Sequence, residues 1–290
     1  MIERIASKSE MRSAIAEARK EGKTVGLVPT MGALHRGHLS LVHAACERTD
    51  IVVVSIFVNP TQFGPGEDFE RYPRRIDEDL EALAAEGVEL AFTPSVEAMY
   101  VGNPVVTVDP GPLANRWEGE VRPGHFRGVA TVVAKLFSII RPDLAFFGEK
   151  DFQQLAILKR MALDLDLGVG VIGCPIVRDI DGLALSSRNA YLSADDRDHA
   201  LALPEALEAA AQALAWGETS GEALDIIMRE AAGTRAPGAL TLDYAAIVDP
   251  ETLEPLAKVG RPARAIIAGR VGTTRLIDNC GLMPPPGGAA

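Results

Sequence analysis

PTMGALHRGHLSLV, Pro29 to Val42, is the stretch on which the reading of this 290-residue chain turns. The residues leading into it, Thr24 to Val28, read as a short buried strand, and Gly32 marks the turn that follows. From His38 to Cys46 the apolar residues Leu41, Val42 and Ala45 fall at helical spacing. A strand therefore runs through a turn into a helix, with His35 and His38 near the first helical turn. A helix N-terminus carries unpaired N–H groups and a partial positive charge, which suits phosphate. Imidazoles beside it can donate hydrogen bonds to the same anion, and Gly37, lacking a Cβ, permits close approach of a ligand. The segment is neither a Walker A loop nor a G-x-G-x-x-G fingerprint. Alone, H-x-x-H could also be a metal half-site or two surface accidents. Two of the chain's five histidines at one strand-to-helix switch, with Gly32 and Gly37, move the reading toward function.

Outward from this segment the same alternation recurs. Ser9 to Glu21 has helical spacing, and IVVVSIFV (Ile51 to Val58) suits a strand covered on both faces. A helix at Ile76 to Glu86, a strand at Val88 to Phe92, a buried helix at Val129 to Ile140, a strand at Leu144 to Phe147 and a helix from Phe152 to about Leu165 follow. A further strand is expected at Val105 to Val108. Alternation at these lengths implies βαβ units and a Rossmann-like parallel sheet, with ligands at the carboxyl ends of its strands. After Asn189 the pattern changes. Ser193 caps an expected long alanine-rich helix reaching about Trp216, a second helix covers Glu222 to Ala232, and short strands lie at Asp243 to Val248, Ala265 to Ala268 and Thr274 to Asp278. The expected organisation is α/β throughout: residues 1–176 a nucleotide- and substrate-binding domain, residues 177–290 a smaller C-terminal α/β lid domain ending in a frayed Pro/Gly/Ala tail. A length of 290 residues agrees with this, at roughly 150 residues per domain.

Composition excludes other classes. With 47% hydrophobic and 24% charged residues the chain can bury a sizeable core, so it is neither disordered nor fibrous. A net charge of −11 argues against a dedicated nucleic-acid or anionic-membrane binder. The three cysteines, Cys46, Cys174 and Cys280, lie far apart, which suits a reducing cytoplasm rather than a disulfide framework or zinc knuckle. The charged N-terminus is no signal peptide, and no stretch nears the ~20 apolar residues that span a bilayer.

Four more segments carry chemistry. In SIFVNPTQF (Ser55 to Phe63), Asn59 and Gln62 follow the apolar strand, where amides can bond a hydroxyl or carboxylate; Asn59-Pro60 reads equally as a turn. In FFGEKDFQQ (Phe146 to Gln154), Gly148 permits a tight turn and Lys150 offers a point charge to phosphate, while Asp151 could be an ordinary N-cap. LSSRN (Leu185 to Asn189) places two hydroxyls and a guanidinium together as a mobile phosphate clamp. RPGHFRGV (Arg122 to Val129) is a third anion-binding element or a dimer contact, and the sequence does not separate these. Tyr72, Asp77 and Asp79 read as a solvated helix face.

These segments, in this order with PTMGALHRGH, resemble the pantoate–β-alanine ligase family within the H-x-G-H nucleotidyltransferase superfamily. H-x-G-H alone names only the superfamily; the combination narrows it, over essentially the whole chain except the tail. The resemblance implies an ATP-dependent condensation of pantoate with β-alanine through a pantoyl adenylate, releasing AMP and pyrophosphate. It implies ATP contacts at Met31, Gly32, Ala33, Leu34, His35, Arg36, Gly37, His38, Gly148, Glu149, Lys150, Asp151, Val177, Leu185, Ser186, Ser187 and Arg188. Gln62 and Gln154 would bind pantoate, with β-alanine also near Gln62; Gln153 belongs to another helix face. Catalysis would rest on His38, the family's proton donor, with His35, Lys150, Ser186, Ser187 and Arg188. Mg²⁺ is expected with the nucleotide and without a dedicated protein cage, and a homodimer is implied. The family usually has methionine where this chain has Leu185. Two other readings are a different H-x-G-H nucleotidyltransferase, which would need extra cations for a phosphorylated second substrate, and a nonenzymatic nucleotide sensor, which leaves the amide-rich segments unexplained.

Overall fold

The computed structural model describes residues 2–102 and 105–284, and the chain divides into two compact units. Met1–Glu149 with Gln153–Pro175 form the first; Lys150–Phe152 with Ile176–Ala290 form the second. The end of the chain expected to fray, residues 285–290, lies outside the described residues.

The first unit begins with β1 (Glu3–Ile5), α1 (Lys8–Lys20), β2 (Val25–Thr30), α2 (Arg36–Cys46), β3 (Ile51–Ile56), α3 (Ile76–Ala85) and β4 (Leu90–Phe92). Two single-turn helices, α4 (Val96–Met99) and α5 (Glu118–Val121), precede α6 (His125–Ile140), β5 (Leu144–Gly148), α7 (Phe152–Asp164) and β6 (Gly170–Cys174). The six strands are parallel, in the order β1-β4-β3-β2-β5-β6. Every residue of β3 from Ile51 to Ser55 is buried, which is why the segment reads as one apolar run rather than an alternation. One cluster fills the face under α1 and α6, with Leu27, Val53, Phe92, Leu136 and Phe147; the other lies under α2, with Val28, Val42, Val54 and Phe146. The order reverses between β2 and β5, since β3 and β4 lie to one side of β2 and β6 lies beyond β5. Parallel sheets hold ligands outside the carboxyl ends of the strands at such a switch point. There, in this unit, β2 runs into the Met31–His35 turn and β5 ends at Gly148.

The second unit carries α8 (Ala194–Ala200), α9 (Ala202–Ala215), α10 (Gly221–Arg235) and an antiparallel sheet β7-β8-β9 (Leu240–Val248, Ala263–Val271, Thr274–Leu282). Leu203, Leu207, Leu224, Met228, Ile247 and Ile267 belong to its core.

Three expectations need correction. The long helix after Ser193 is two helices that meet at Leu201. Pro204 cannot donate to the carbonyl of Ala200 and its ring crowds that carbonyl, so the first helix stops there. Val105 to Val108 pairs with no strand; the amide of Val108 goes instead to the Thr131 hydroxyl at 3.0 Å. Tyr72 and Asp79 are buried, at 5% and 3% exposure, whereas Asp77 is exposed as expected.

Candidate active site

The Met31–His38 segment is held by bonds to Thr30 and Asp79 in its first half and by its own two histidines in its second. Gly32 and Ala33 both adopt positive φ, 81° and 51°, so the chain reverses within two residues of β2. The Gly32 amide donates to Thr30 Oγ1 at 3.2 Å, and the amides of Ala33 and Leu34 donate to the two carboxylate oxygens of Asp79 at 3.0 and 2.8 Å. His35 caps α2: its Nδ1 accepts from the Gly37 amide at 3.1 Å, and its own amide donates to His38 Nδ1 at 3.3 Å. This is the reciprocal geometry of a capping box, with imidazoles in the places usually held by a hydroxyl and a carboxylate. The rings stand 4.0 Å apart.

Because an N–H occupies each Nδ1, the proton of each neutral ring sits on Nε2. Both histidines are thereby prepared as Nε2–H donors. This qualifies the expectation of free amides at the helix start, because the Gly37 amide serves His35 and the His38 amide serves the His35 carbonyl at 2.7 Å. An anion at this helix start would meet imidazoles and the helix dipole rather than the backbone amides that line a P-loop.

Asp79 is the residue that sequence reasoning missed here. It lies in the first turn of α3, where burial pushes its carboxyl above the ordinary value while the Leu34 and Ala33 amides pull it back. A Cβ on Gly32 would stand 2.8 Å from Asp79 Oδ2, so glycine is required by space as well as by φ. A glycine just after a strand, followed downstream by acids near a helix start, is a weak signal. Nothing in the linear sequence says which acid turns inward.

Gln62 follows β3 in a single 3₁₀ turn, Pro60–Gln62. Asn59, open in the sequence between turn and ligand, is 1% exposed and fully engaged. Its Oδ1 accepts from the Thr61 amide and from the hydroxyls of Thr61 and Tyr100, the last at 2.8 Å. Its Nδ2 donates to Gln62 Oε1 at 3.1 Å and to the Gly128 carbonyl. Asn59 thus holds Gln62 in place, and Gln62 Nε2 reaches Met31 Sδ at 3.2 Å, bringing Gln62 to the start of the H-x-G-H turn.

RPGHFRGV braces the same segment. Arg122 grips Glu67 with two bonds of 2.8 and 2.7 Å and donates to His125 Nε2, while His125 Nδ1–H donates to the Gln62 carbonyl at 2.8 Å. Desolvation, aided by Arg122, pushes His125 down to about 4. Glu67 is held at about 2: its Arg122 bonds outweigh the burial that would raise it.

Gly148 ends β5 and Glu149 follows it as the last residue of that stretch in the first unit, and Gln154 is half-buried on α7. Gln153 is turned into the protein: it accepts from the Glu118 amide and donates to the carbonyls of Leu113 and Arg116. In the second unit, the Lys150 carbonyl is fixed by Asn279 Nδ2 at 2.9 Å, and the Arg264 guanidinium lies 4.2 Å over the Phe152 ring. Asp151 is exposed. Val177 and Leu185 are joined by the Leu185 amide donating to the Val177 carbonyl at 2.9 Å. Ser186 caps the 3₁₀ turn Ser187–Tyr191 and accepts from the Arg188 amide. The hairpin supporting this loop is clamped by Arg178, which holds Asp278 with bonds of 2.6 and 2.9 Å.

The family model for pantoate-beta-alanine ligase matches residues 3–281. The chain belongs to this family. It is 54% identical over 284 residues to a pantothenate synthetase of Rubrobacter xylanophilus, an alignment spanning 95% of this chain and 97% of that one. A solved pantothenate synthetase of Thermus thermophilus is similar, with a TM-score of 0.92 and 48% identity over 98% of this chain and 100% of the other. A Francisella tularensis pantoate-beta-alanine ligase, solved in complex with β-γ ATP and β-alanine, has a TM-score of 0.79 and 33% identity, covering 97% of both chains. Among the described residues no helix is long and apolar enough to cross a membrane, and no group of three or more His, Cys, Asp and Glu could hold a metal ion.

Proposed function

We propose that this chain condenses pantoate with β-alanine, cleaving ATP to AMP and pyrophosphate through a pantoyl adenylate, and that the residues of the H-x-G-H turn carry the first step. The observation that supports this most is the imidazole pair, each Nδ1 accepting a backbone N–H, which assigns the ring proton to Nε2. A carboxylate is a poor acyl donor, and adenylation gives it a leaving group. The pantoate carboxylate attacks the α-phosphorus and pyrophosphate departs. The β-alanine amine then attacks the acyl carbon, loses a proton, and expels AMP. His35 and His38 donate to the α-phosphate as its charge rises, with His38 the proton donor. Positioning and charge stabilisation suffice, without a covalent enzyme intermediate.

Met31 to His38 and Gly148 to Asp151 contact ATP, with Val177 and Leu185 adding main-chain or apolar contacts. Lys150, Ser186, Ser187 and Arg188 hold phosphates, and Gln62 and Gln154 hold pantoate. Mg²⁺ arrives with the nucleotide as part of the substrate; such ions are bound largely through phosphates and water, and the ion neutralises phosphate charge. We also place the protein in a reducing cytoplasm, on its three free cysteines, and as a homodimer, for which exposed Val101, Val105 and Val106 offer an apolar edge. Sedimentation equilibrium at micromolar protein tests the dimer; a monomer mass overturns it.

The adenylation step is tested by exchange of labelled pyrophosphate into ATP. Exchange that needs pantoate but not β-alanine is expected. Exchange without pantoate, or none with it, contradicts the mechanism.

A further inference from the structure

We infer that Asp79 is a positioning residue for adenylation: its carboxylate, by taking the Ala33 and Leu34 amides, sets the turn that aims His35 and His38. This rests on the ligase reading above and deepens it.

Geometry carries the inference. The turn leaves β2 through two consecutive left-handed residues, one of them Ala33, where an L side chain is uncommon and strained. Such a conformation persists only where neighbours enforce it, and here both enforcing bonds end on one side chain. Leu34 immediately precedes His35, the N-cap of α2, so a rotation of the Leu34 amide is transmitted directly to the cap. The cap in turn holds His38 through the His35 amide. The carboxylate is 3% exposed and comes from α3, an element with no other part in the turn.

Burial raises the Asp79 carboxyl above its ordinary value, and the Leu34 and Ala33 amides oppose that rise, so the two bonds and the ionised form support each other. The same carboxylate also lines a cavity of about 260 Å³ together with Gly32, Ile56, Phe57 and Thr93, which gives a small anion a path to the position.

The experiment pairs Asp79→Asn with Asp79→Ala, each assayed for steady-state turnover and thermal unfolding. Asparagine leaves one oxygen for the Leu34 amide but sets an NH₂ against the Ala33 amide, removing one bond and the buried charge together. The expected result for Asp79→Asn is a kcat lowered at least tenfold, with pantoate-dependent pyrophosphate exchange lowered in parallel. The Ala33 amide left without its acceptor lowers the melting temperature by some degrees, the protein stays folded at the assay temperature, and KM for β-alanine is unchanged. Formate is expected to restore part of the exchange in Asp79→Ala and to leave the parent unaffected. Parent-like kcat in Asp79→Asn overturns the inference. So does a loss of exchange in Asp79→Ala that formate leaves unrepaired while the protein is folded at the assay temperature. The parent measured alongside separates the two readings: if it fails to exchange, the ligase reading fails, whereas a failure confined to the Asp79 predictions leaves that reading intact.

Discussion

At the scale of single residues, the chemistry depends on how a side chain is held as much as on what it is. His38 is both an Nε2–H donor and the acceptor that closes the cap of α2. Removing one such donor from a site of developing charge costs about 10²–10³ in kcat. Losing a cap costs about 0.5–2 kcal/mol. His38→Ala is therefore expected to lower kcat by roughly 10²-fold or more, while the protein still folds and melts cooperatively a few degrees lower; turnover and calorimetry check both halves. His125 makes a different prediction. Between about 4, where the folded protein holds it, and its ordinary 6.5, the unfolded chain binds a proton that the folded chain refuses, so stability falls as pH is lowered through that window. Glu67, held at about 2 against an ordinary 4.5, adds its own loss as pH falls below 4.5. His125→Gln should flatten the dependence of melting temperature on pH between 6.5 and 4.5 and leave the steeper acid limb. An unchanged profile would show that other groups govern the upper window.

At the scale of elements, α6 and the Gln62 turn are in contact because Gly128 has no side chain. A Cβ there would run into the backbone of Thr61 and come within 2.7 Å of the Gln62 amide. Gly128→Ala should cost about 1–3 kcal/mol, as overpacking does, and raise KM for pantoate more than KM for ATP; steady-state kinetics at saturating partner substrates decide it. In the second unit, Asp278→Ala leaves Arg178 without its carboxylate. The loss is expected to be about 3 kcal/mol, the low end for a broken buried pair because Arg178 keeps 30% exposure. Urea unfolding reads that loss, and a raised KM for ATP is expected with it.

The elements legible in advance were those whose apolar pattern reports burial directly. β2, β3 and β5 are runs buried on both faces, and α6 is apolar nearly all round. β1 escaped notice because Glu3-Arg4-Ile5 is a three-residue edge strand with two charges, and β6 because Gly170 to Gly173 is a half-exposed edge. Pro204 stands in plain view, yet the alanine-rich pattern on either side of it reads as one helix.

At the scale of the whole molecule, the parallel order fixes where the chemistry collects. The reversal between β2 and β5 sets the H-x-G-H turn and Gly148 at neighbouring strand ends, and β3 beside them delivers Gln62. Residues that could touch substrate were legible because their types and spacings are chemical: imidazoles, amides and a lysine at strand ends. Those that hold them were not: Asp79 and His125 act across 45 and 63 residues of sequence, and Asn59, three residues from Gln62, is itself fixed by Tyr100 and Gly128 across 41 and 69. In the proposed reaction this arrangement couples ATP cleavage to amide formation. The most direct test supplies the parent protein with MgATP and pantoate, with and without β-alanine, and counts AMP against pantothenate. One AMP per pantothenate is expected when both substrates are present, with no sustained AMP release without β-alanine. Sustained AMP release with neither product nor need for β-alanine, or ATP binding with no turnover at all, would contradict the proposed reaction.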